Sequence, residues 1–215
     1  INIAGDQVMP TATKPSRGAL RGAAVEGLVP AGGQRKIRLL VFTSLYPNAA
    51  QPRHGVFVEE RLRHLVDSGR IAATVVAPVP WFPFRSPMFG GYSTFAAVPE
   101  SEERYGIRIL HPRYRVIPML GMNIAPFLMY RALLPVLRKL RTARTDFDLI
   151  DAHYFYPDGV AAARLGAALG RPVVVTARGT DVTWIPRYGR CRRQIQHAAE
   201  SAAAIVTVSQ ALKDT

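Results

Sequence analysis

Residues 35–77, RKIRLLVFTSLYPNAAQPRHGVFVEERLRHLVDSGRIAATVVA, decide how this chain folds. Ile37, Leu39, Leu40, Val41 and Phe42 form a short apolar run beside basic residues, the pattern of a parallel strand buried on both faces. The loop after it carries Pro47, Asn48, Pro52 and Gly55. Val56, Val58, Leu62, Leu65 and Val66 then recur near helical spacing with Glu59, Glu60, Arg61 and Arg63 between them, and Gly69 closes the pattern. A second apolar run at 73–77 completes strand, loop, helix and strand, which is one βαβ unit.

The alternation continues outward. Residues 78–103 read as a loop, with prolines at 78, 80, 83, 87 and 99 and an aromatic group of Trp81, Phe82, Phe84 and Phe89. Ile107, Ile109 and Leu110 suggest a strand. Residues 124–144 predict a long helix whose apolar face is Phe127, Tyr130, Leu134 and Leu137, with Pro126 in its first turn and a kink at Pro135. Strands follow at 149–153, ending on His153, at 172–176 and at 204–208. Helices fall at 159–169, closed by Gly170, and at 190–202, and Ser209 stands as a cap after the last strand. Strands and helices in alternation make an α/β parallel sheet with helices on both faces.

The chain has 215 residues, 48% of them hydrophobic and 20% charged, which fits one large globular domain or one and a half ordinary ones and excludes a largely disordered or fibrous chain. The first 34 residues are rich in Gly, Ala and Pro without the unbroken apolar core of a signal peptide, so they are expected to be a disordered leader before a domain spanning 35–215. The chain starts at Ile1 and stops just after the Ser209 cap without a closing element, the expectation for a fragment of a longer protein. Cys191 is the single cysteine, which excludes a disulfide framework and fits a reducing compartment. Lys and Arg number 28 against 15 acids, a formal net charge of +13, so an anionic partner is expected: phosphate groups, a membrane surface or nucleic acid.

Absences narrow the chemistry. No two glycines are separated by a single residue, so the G-x-G-x-x-G dinucleotide turn is missing, and there is no G-x-x-x-x-G-K. Neither H-E-x-x-H nor G-x-S-x-G occurs, and no metal is expected. What remains are polar residues where strands end, the edge at which an open α/β sheet holds its ligand. These lie in the loops 44–55, 153–158 and 178–181 and at Ser209. Gly55 precedes a helix, so its amide and those of Val56 and Phe57 can face a phosphate, although the same glycine also serves a tight turn. His153, followed by Tyr154, Phe155, Tyr156 and Asp158, fits contact with a sugar hydroxyl or reaction centre, and equally a structural histidine. Arg178, Gly179, Thr180 and Asp181 offer a donor fork and an acceptor to a polyhydroxylated ligand, or an ion pair that holds the loop. Arg187, Arg190, Arg192 and Arg193 form a basic funnel for phosphate or a solvated face.

The segments TSLYPNAAQPRHGVFVEERLRHL, FDLIDAHYFYPDGVAAARLGAALGRPVVVTARGTDV and AAAIVTVSQALKD resemble, in order and spacing, the N-terminal half of family 4 glycosyltransferases of the GT-B fold, over about Lys36 to Thr215. The resemblance implies a Rossmann-like N-terminal domain of a two-domain retaining enzyme, which moves a sugar from a nucleotide-sugar donor to a glycan or lipid-linked acceptor without a metal cofactor. This half would supply the acceptor side of the cleft and a second domain most donor contacts. By the same resemblance Gly55 is the loop glycine near the donor diphosphate and His153 the catalytic strand-end histidine beside the transferred sugar. Tyr156, Asp158, Arg178, Gly179, Thr180, Asp181 and Arg187 are the substrate-binding candidates. Arg178 stands where many relatives have histidine in a T-x-H-G-x-D pattern, while Gly179 and Asp181 keep that pattern. The paired glutamates of the family's second domain are absent, since no glutamate has another eight positions later. The chain alone is therefore expected to fold without turning over.

Two other classes stay in view. Residues 116–130 are uncharged but contain Pro118 and Pro126 and fall short of the roughly 20 residues of a spanning helix. Residues 85–145 carry ten basic residues against three acids, among them Arg131, Arg138, Lys139, Arg141 and Arg144, which with the aromatic loop suit docking on an anionic leaflet. A cytoplasmic protein, peripheral on the inner face of the membrane, is the expectation. A sequence pI near 10.7 also fits nucleic-acid binding, but no helix-turn-helix, RNP-like or zinc-finger pattern accompanies it. A sugar-nucleotide epimerase half is the third reading.

Overall fold

The computed structural model describes residues 35–81, 88, 91–116, 121–142 and 145–214. The expected leader at 1–34, Phe82, Phe84, Arg85 and Phe89 of the aromatic loop, Pro118 and Arg144 lie outside the described residues. Within them the strands are β1 (Ile37–Phe42), β2 (Ile71–Val76), β3 (Val79–Trp81), β4 (Ser101–Arg104), β5 (Ile107–Leu110), β6 (Arg113–Arg115), β7 (Leu149–His153), β8 (Val173–Ala177) and β9 (Ala204–Thr207). The helices are α1 (Val56–Asp67), α2 (Gly91–Ala97), α3 (Gly121–Thr142), α4 (Val160–Leu169), α5 (Thr180–Thr183), α6 (Gly189–Ser201) and α7 (Gln210–Lys213).

One sheet runs in the order β4-β5-β2-β1-β7-β8-β9. Apart from β4 all its pairings are parallel, and these six strands counted along the chain read 3-2-1-4-5-6, the Rossmann order. The order reverses between β1 and β7, so the crevice of such a sheet opens past their C-terminal ends. Alternation along β1 sorts the core. Leu39 and Val41 pack with Val58 and Leu62 of α1 on one face. Leu40 and Phe42 join Leu133 and Leu137 of α3, Leu165 of α4 and Ile195 of α6 on the other.

Three local expectations give way. The region 78–103 is not a plain loop: it holds β3, α2 and β4. β4 is short and charged, as an edge strand tolerates, and it pairs antiparallel with β5 across Tyr105 and Gly106, both at positive φ as a two-residue hairpin turn requires. β3 pairs with β6 in a second, two-stranded sheet. In α3 the buried stripe is Met129, Leu133, Leu137 and Leu140, spaced by four, four and three, whereas Phe127 is exposed. α3 also begins before residue 124, which puts Pro126 beyond the first turn, and it continues through Pro135. Pro126 has no amide to give the Met122 carbonyl, and the Tyr156 hydroxyl donates to that carbonyl instead.

Candidate functional site

Parallel pairing brings the ends of β1, β7 and β8 to one edge of the sheet. There the Asp158 carboxylate accepts the Ser44 amide at 2.6 Å and the Ser44 hydroxyl at 2.9 Å, and faces the Thr43 hydroxyl at 3.4 Å. It thereby fastens the loop after β7 to the loop after β1, across the switch point. Burial pushes the Asp158 carboxyl up to about 7, against the Ser44 and Thr43 hydrogen bonds, and the Asp181 charge adds to the rise. At the start of the loop after β7, next to His153, Tyr154 holds φ +78°, a sparsely populated conformation for a side-chain-bearing residue.

His153 is the centre of a polar cluster facing α1. As residues two apart on β7, Asp151 and His153 share that face. Asp151 Oδ2 accepts from Arg61 Nη1 of α1 at 2.6 Å and lies 3.4 Å from His153 Nε2. His153 Nδ1 is 2.9 Å from Arg178 Nη2 at the end of β8. The Arg178 guanidinium in turn lies 4.5 Å above the ring of Phe57, the second residue of α1. His153 is only 1% exposed. Burial lowers its pKa below the ordinary histidine value; Asp151 opposes this, and Arg61 and Arg178 reinforce it. Burial works to raise Asp151, yet the His153 hydrogen bond and Arg61 hold its carboxyl below the usual carboxylate range.

Gly55 is the residue before α1, at φ +71°, where a Cβ would lie 2.3 Å from the Leu45 carbonyl oxygen. The Arg178 guanidinium stacks on the ring of a residue in the first turn of α1, the turn that Gly55 introduces. His153, Arg178 and the Gly55 turn are thus brought together.

The other candidates sit differently. Asp181 is wholly buried and accepts the amides of Gly179 at 2.7 Å, Phe155 at 2.7 Å and Arg178 at 3.0 Å, so it shapes the loop that carries Arg178. Gly179, at φ +143°, makes the bend, and the Thr180 hydroxyl bonds the Tyr154 hydroxyl. Tyr156 is buried among the residues of α3 and α6. Arg187 lines a separate cavity of about 730 Å³ with Arg192 and Ile195, between α6 and the β9 edge. Sequence reasoning missed Arg61, Asp151 and the ring of Phe57, a residue it singled out only for its amide. Two periodicities carried the signal: 151 and 153 alternate onto one strand face, and 57 and 61 lie one helical turn apart. Among the described residues no group of three or more His, Cys, Asp or Glu is arranged to hold a metal ion, and no helix is long and apolar enough to cross a membrane.

A doubly wound sheet with an arginine, a histidine and a helix start gathered at its switch point defines a Rossmann-like binding domain. The chain belongs to glycosyltransferase family 4: the family model described as Glycosyltransferase Family 4 matches residues 91–215. It is 32% identical over 181 residues to a protein of Bacillus subtilis (strain 168) whose name assigns it, provisionally, as teichuronic acid biosynthesis glycosyltransferase TuaC. That match takes in 83% of this chain and 46% of the relative. Among solved structures it is similar to Arabidopsis thaliana UGT89C1 complexed with UDP, at 12% identity and TM-score 0.48 over 81% of this chain and 45% of that one. A UDP-glucosyltransferase from Polygonum tinctorium follows at 12% identity and TM-score 0.44, over 71% and 32%. The chain spans less than half the length of these relatives.

Proposed function

We propose that this chain is the acceptor-side half of a retaining glycosyltransferase, a hexosyltransferase that moves a sugar from a nucleotide-sugar donor to a glycan or lipid-linked acceptor. The meeting of His153, Arg178 and the Gly55 turn at the switch point of a family 4 chain carries this reading. In such a transfer positive charge gathers on the sugar and negative charge on the leaving diphosphate. Arg178 and the first amides of α1 are donors placed where that negative charge develops. No metal is needed in this reading, and the nucleotide sugar is a co-substrate. The name of the Bacillus subtilis relative supports a polysaccharide acceptor.

The test is a panel of nucleotide sugars carrying a 13C-labelled hexose, offered with glycan and polyprenyl-phosphate acceptors to this chain alone and to a protein that continues into a second domain. Labelled acceptor with the donor's anomeric configuration is expected from the longer protein only. Transfer by the chain alone overturns the division into halves. No transfer with any donor, or epimerised donor without acceptor, overturns the transferase reading.

The acceptor is proposed to be met at a membrane surface on the cytoplasmic side. The exposed Met122 and Phe127 of α3, with Arg131 and Arg138 exposed further along it, combine apolar and cationic groups as an anionic leaflet requires. Liposome flotation decides this: binding should need anionic lipid and weaken with salt, and flotation indifferent to both removes the reading.

A further inference from the structure

Both nitrogens of His153 face charged partners, each with an arginine in reach, and the shorter contact selects the arrangement. Arg178 Nη2 carries only protons, so Nδ1 at 2.9 Å must offer a lone pair. Nε2 then bears the proton; it lies 3.4 Å from Asp151 Oδ2 and 3.3 Å from Arg61 Nη1, and because Arg61 Nη1 already has that oxygen as its own acceptor at 2.6 Å, the carboxylate is what draws the Nε2 proton. The opposite tautomer would leave Asp151 without the ring proton and would set an N–H against an N–H at Nδ1, over a contact of 2.9 Å rather than the 3.3 Å that separates Nε2 from Arg61. The imidazolium would do the same between two guanidinium ions, in a pocket that leaves the ring almost no water. The lowered pKa of His153 agrees with a neutral ring. Arg178 is left with Nη2 on His153, its flat face on Phe57, and Nη1 without a partner among the described residues. Nε is buried and likewise unpartnered. A guanidinium clamped at one nitrogen, stacked on a ring and still holding free donors is preorganised for an oxyanion.

We propose that Arg178 is the group that meets an anionic phosphate oxygen of the substrate, and that Asp151 is its positioning residue, acting by holding His153 in the Nε2–H tautomer. This rests on the glycosyl-transfer reading for the identity of the phosphate. His153 becomes a strut rather than an acid or base, because neither nitrogen is free to exchange a proton with a ligand. Arg178 supplies a fixed cation at the end of β8.

The test needs no sugar. In the 15N-histidine-labelled 215-residue chain, two-bond 1H–15N spectra should show His153 with a protonated Nε2 and a bare Nδ1, unchanged across roughly pH 5.5 to 8. A protonated Nδ1 in that range overturns the proposal. Inorganic pyrophosphate is the probe for the anion, titrated by chemical shift. Arg178→Gln should weaken it about tenfold or more. Unchanged affinity removes Arg178 from anion binding. Asp151→Ala, checked for an intact thermal melt, should lose the single tautomer and weaken pyrophosphate to a similar degree, and Asp151→Asn, which keeps an oxygen for Nε2–H, should restore both. A fixed tautomer in Asp151→Ala overturns the positioning role. Should that variant not fold, the wild-type tautomer and Arg178→Gln still decide. Absent sugar transfer by a two-domain protein would leave these readouts intact, so the two readings fail separately.

Discussion

The Asp158 carboxylate takes both the amide and the hydroxyl of Ser44, 114 positions away in sequence, and this pair joins the two loops that flank the switch point. Asp158 has no exposed surface, and its second oxygen is buried without a partner among the described residues.

That burial has a pH signature. With the folded-state carboxyl at about 7 against an ordinary value of 3.8, the folded protein holds a proton that the unfolded chain releases. Stability should therefore fall as pH rises from about 4 to about 7, by on the order of 4 kcal/mol, and level off above. Asp158→Asn keeps an oxygen for Ser44 and should remove that slope. His153, with its lowered value, adds a slope of opposite sign to both proteins, so the difference between them isolates Asp158. Denaturant titrations at several pH values check this, and parallel curves for the two proteins contradict it.

Gly55→Ala should destabilise the chain by on the order of 3 kcal/mol. The new Cβ would meet Leu45 carbonyl oxygen at 2.3 Å, its carbon at 2.4 Å and the Tyr46 amide at 2.9 Å, all backbone atoms, at a φ that side chains rarely adopt. A thermal melt unchanged from wild type would mean that the turn can open at no cost.

Asp181→Ala strips an acceptor from the amides of Phe155, Arg178 and Gly179 inside the protein. A loss on the order of 3 kcal/mol is expected from buried donors left unpaired. Pyrophosphate binding should weaken in the same variant, since the loop that carries Arg178 loses its anchor. Full binding with lower stability would separate the loop from the site.

Tyr156→Phe leaves the Met122 carbonyl without the hydroxyl that replaces Pro126's missing amide. About 1 kcal/mol of stability should go, read from denaturant midpoints. Restoring an amide in the same background, with Pro126→Ala, should recover part of it.

Arg187→Gln should change pyrophosphate affinity by less than about twofold, because Arg187 lines the groove beside β9 rather than the His153 cluster. A loss matching that of Arg178→Gln would show that the two sites are one.

The strands and helices were legible wherever burial wrote a period into the sequence. β7 was expected at 149–153 and found at Leu149–His153, and the expected helix 190–202 is Gly189–Ser201. β4 was invisible because SEER is polar, and an edge strand needs backbone partners rather than apolar side chains. The stripe of α3 was misplaced by one position at Tyr130 and Leu134 because several apolar residues compete for each turn, and only contact with α4 and the sheet selects Met129 and Leu133 over them.

By itself the sequence determined the α/β alternation, the strand ends that carry polar loops, and the likeness to family 4 glycosyltransferases, since these depend on local spacing along the chain. Only the tertiary structure decided what each polar residue touches. Asp158 and Asp181 turn inward to backbone amides, while Arg178 reaches His153 across 25 positions and rests on Phe57 of another element. The physical reason is that a polar side chain's partner is set by which strand lies beside its own. That order, with β7 against β1 and β8 against β7, comes from the winding of the whole sheet.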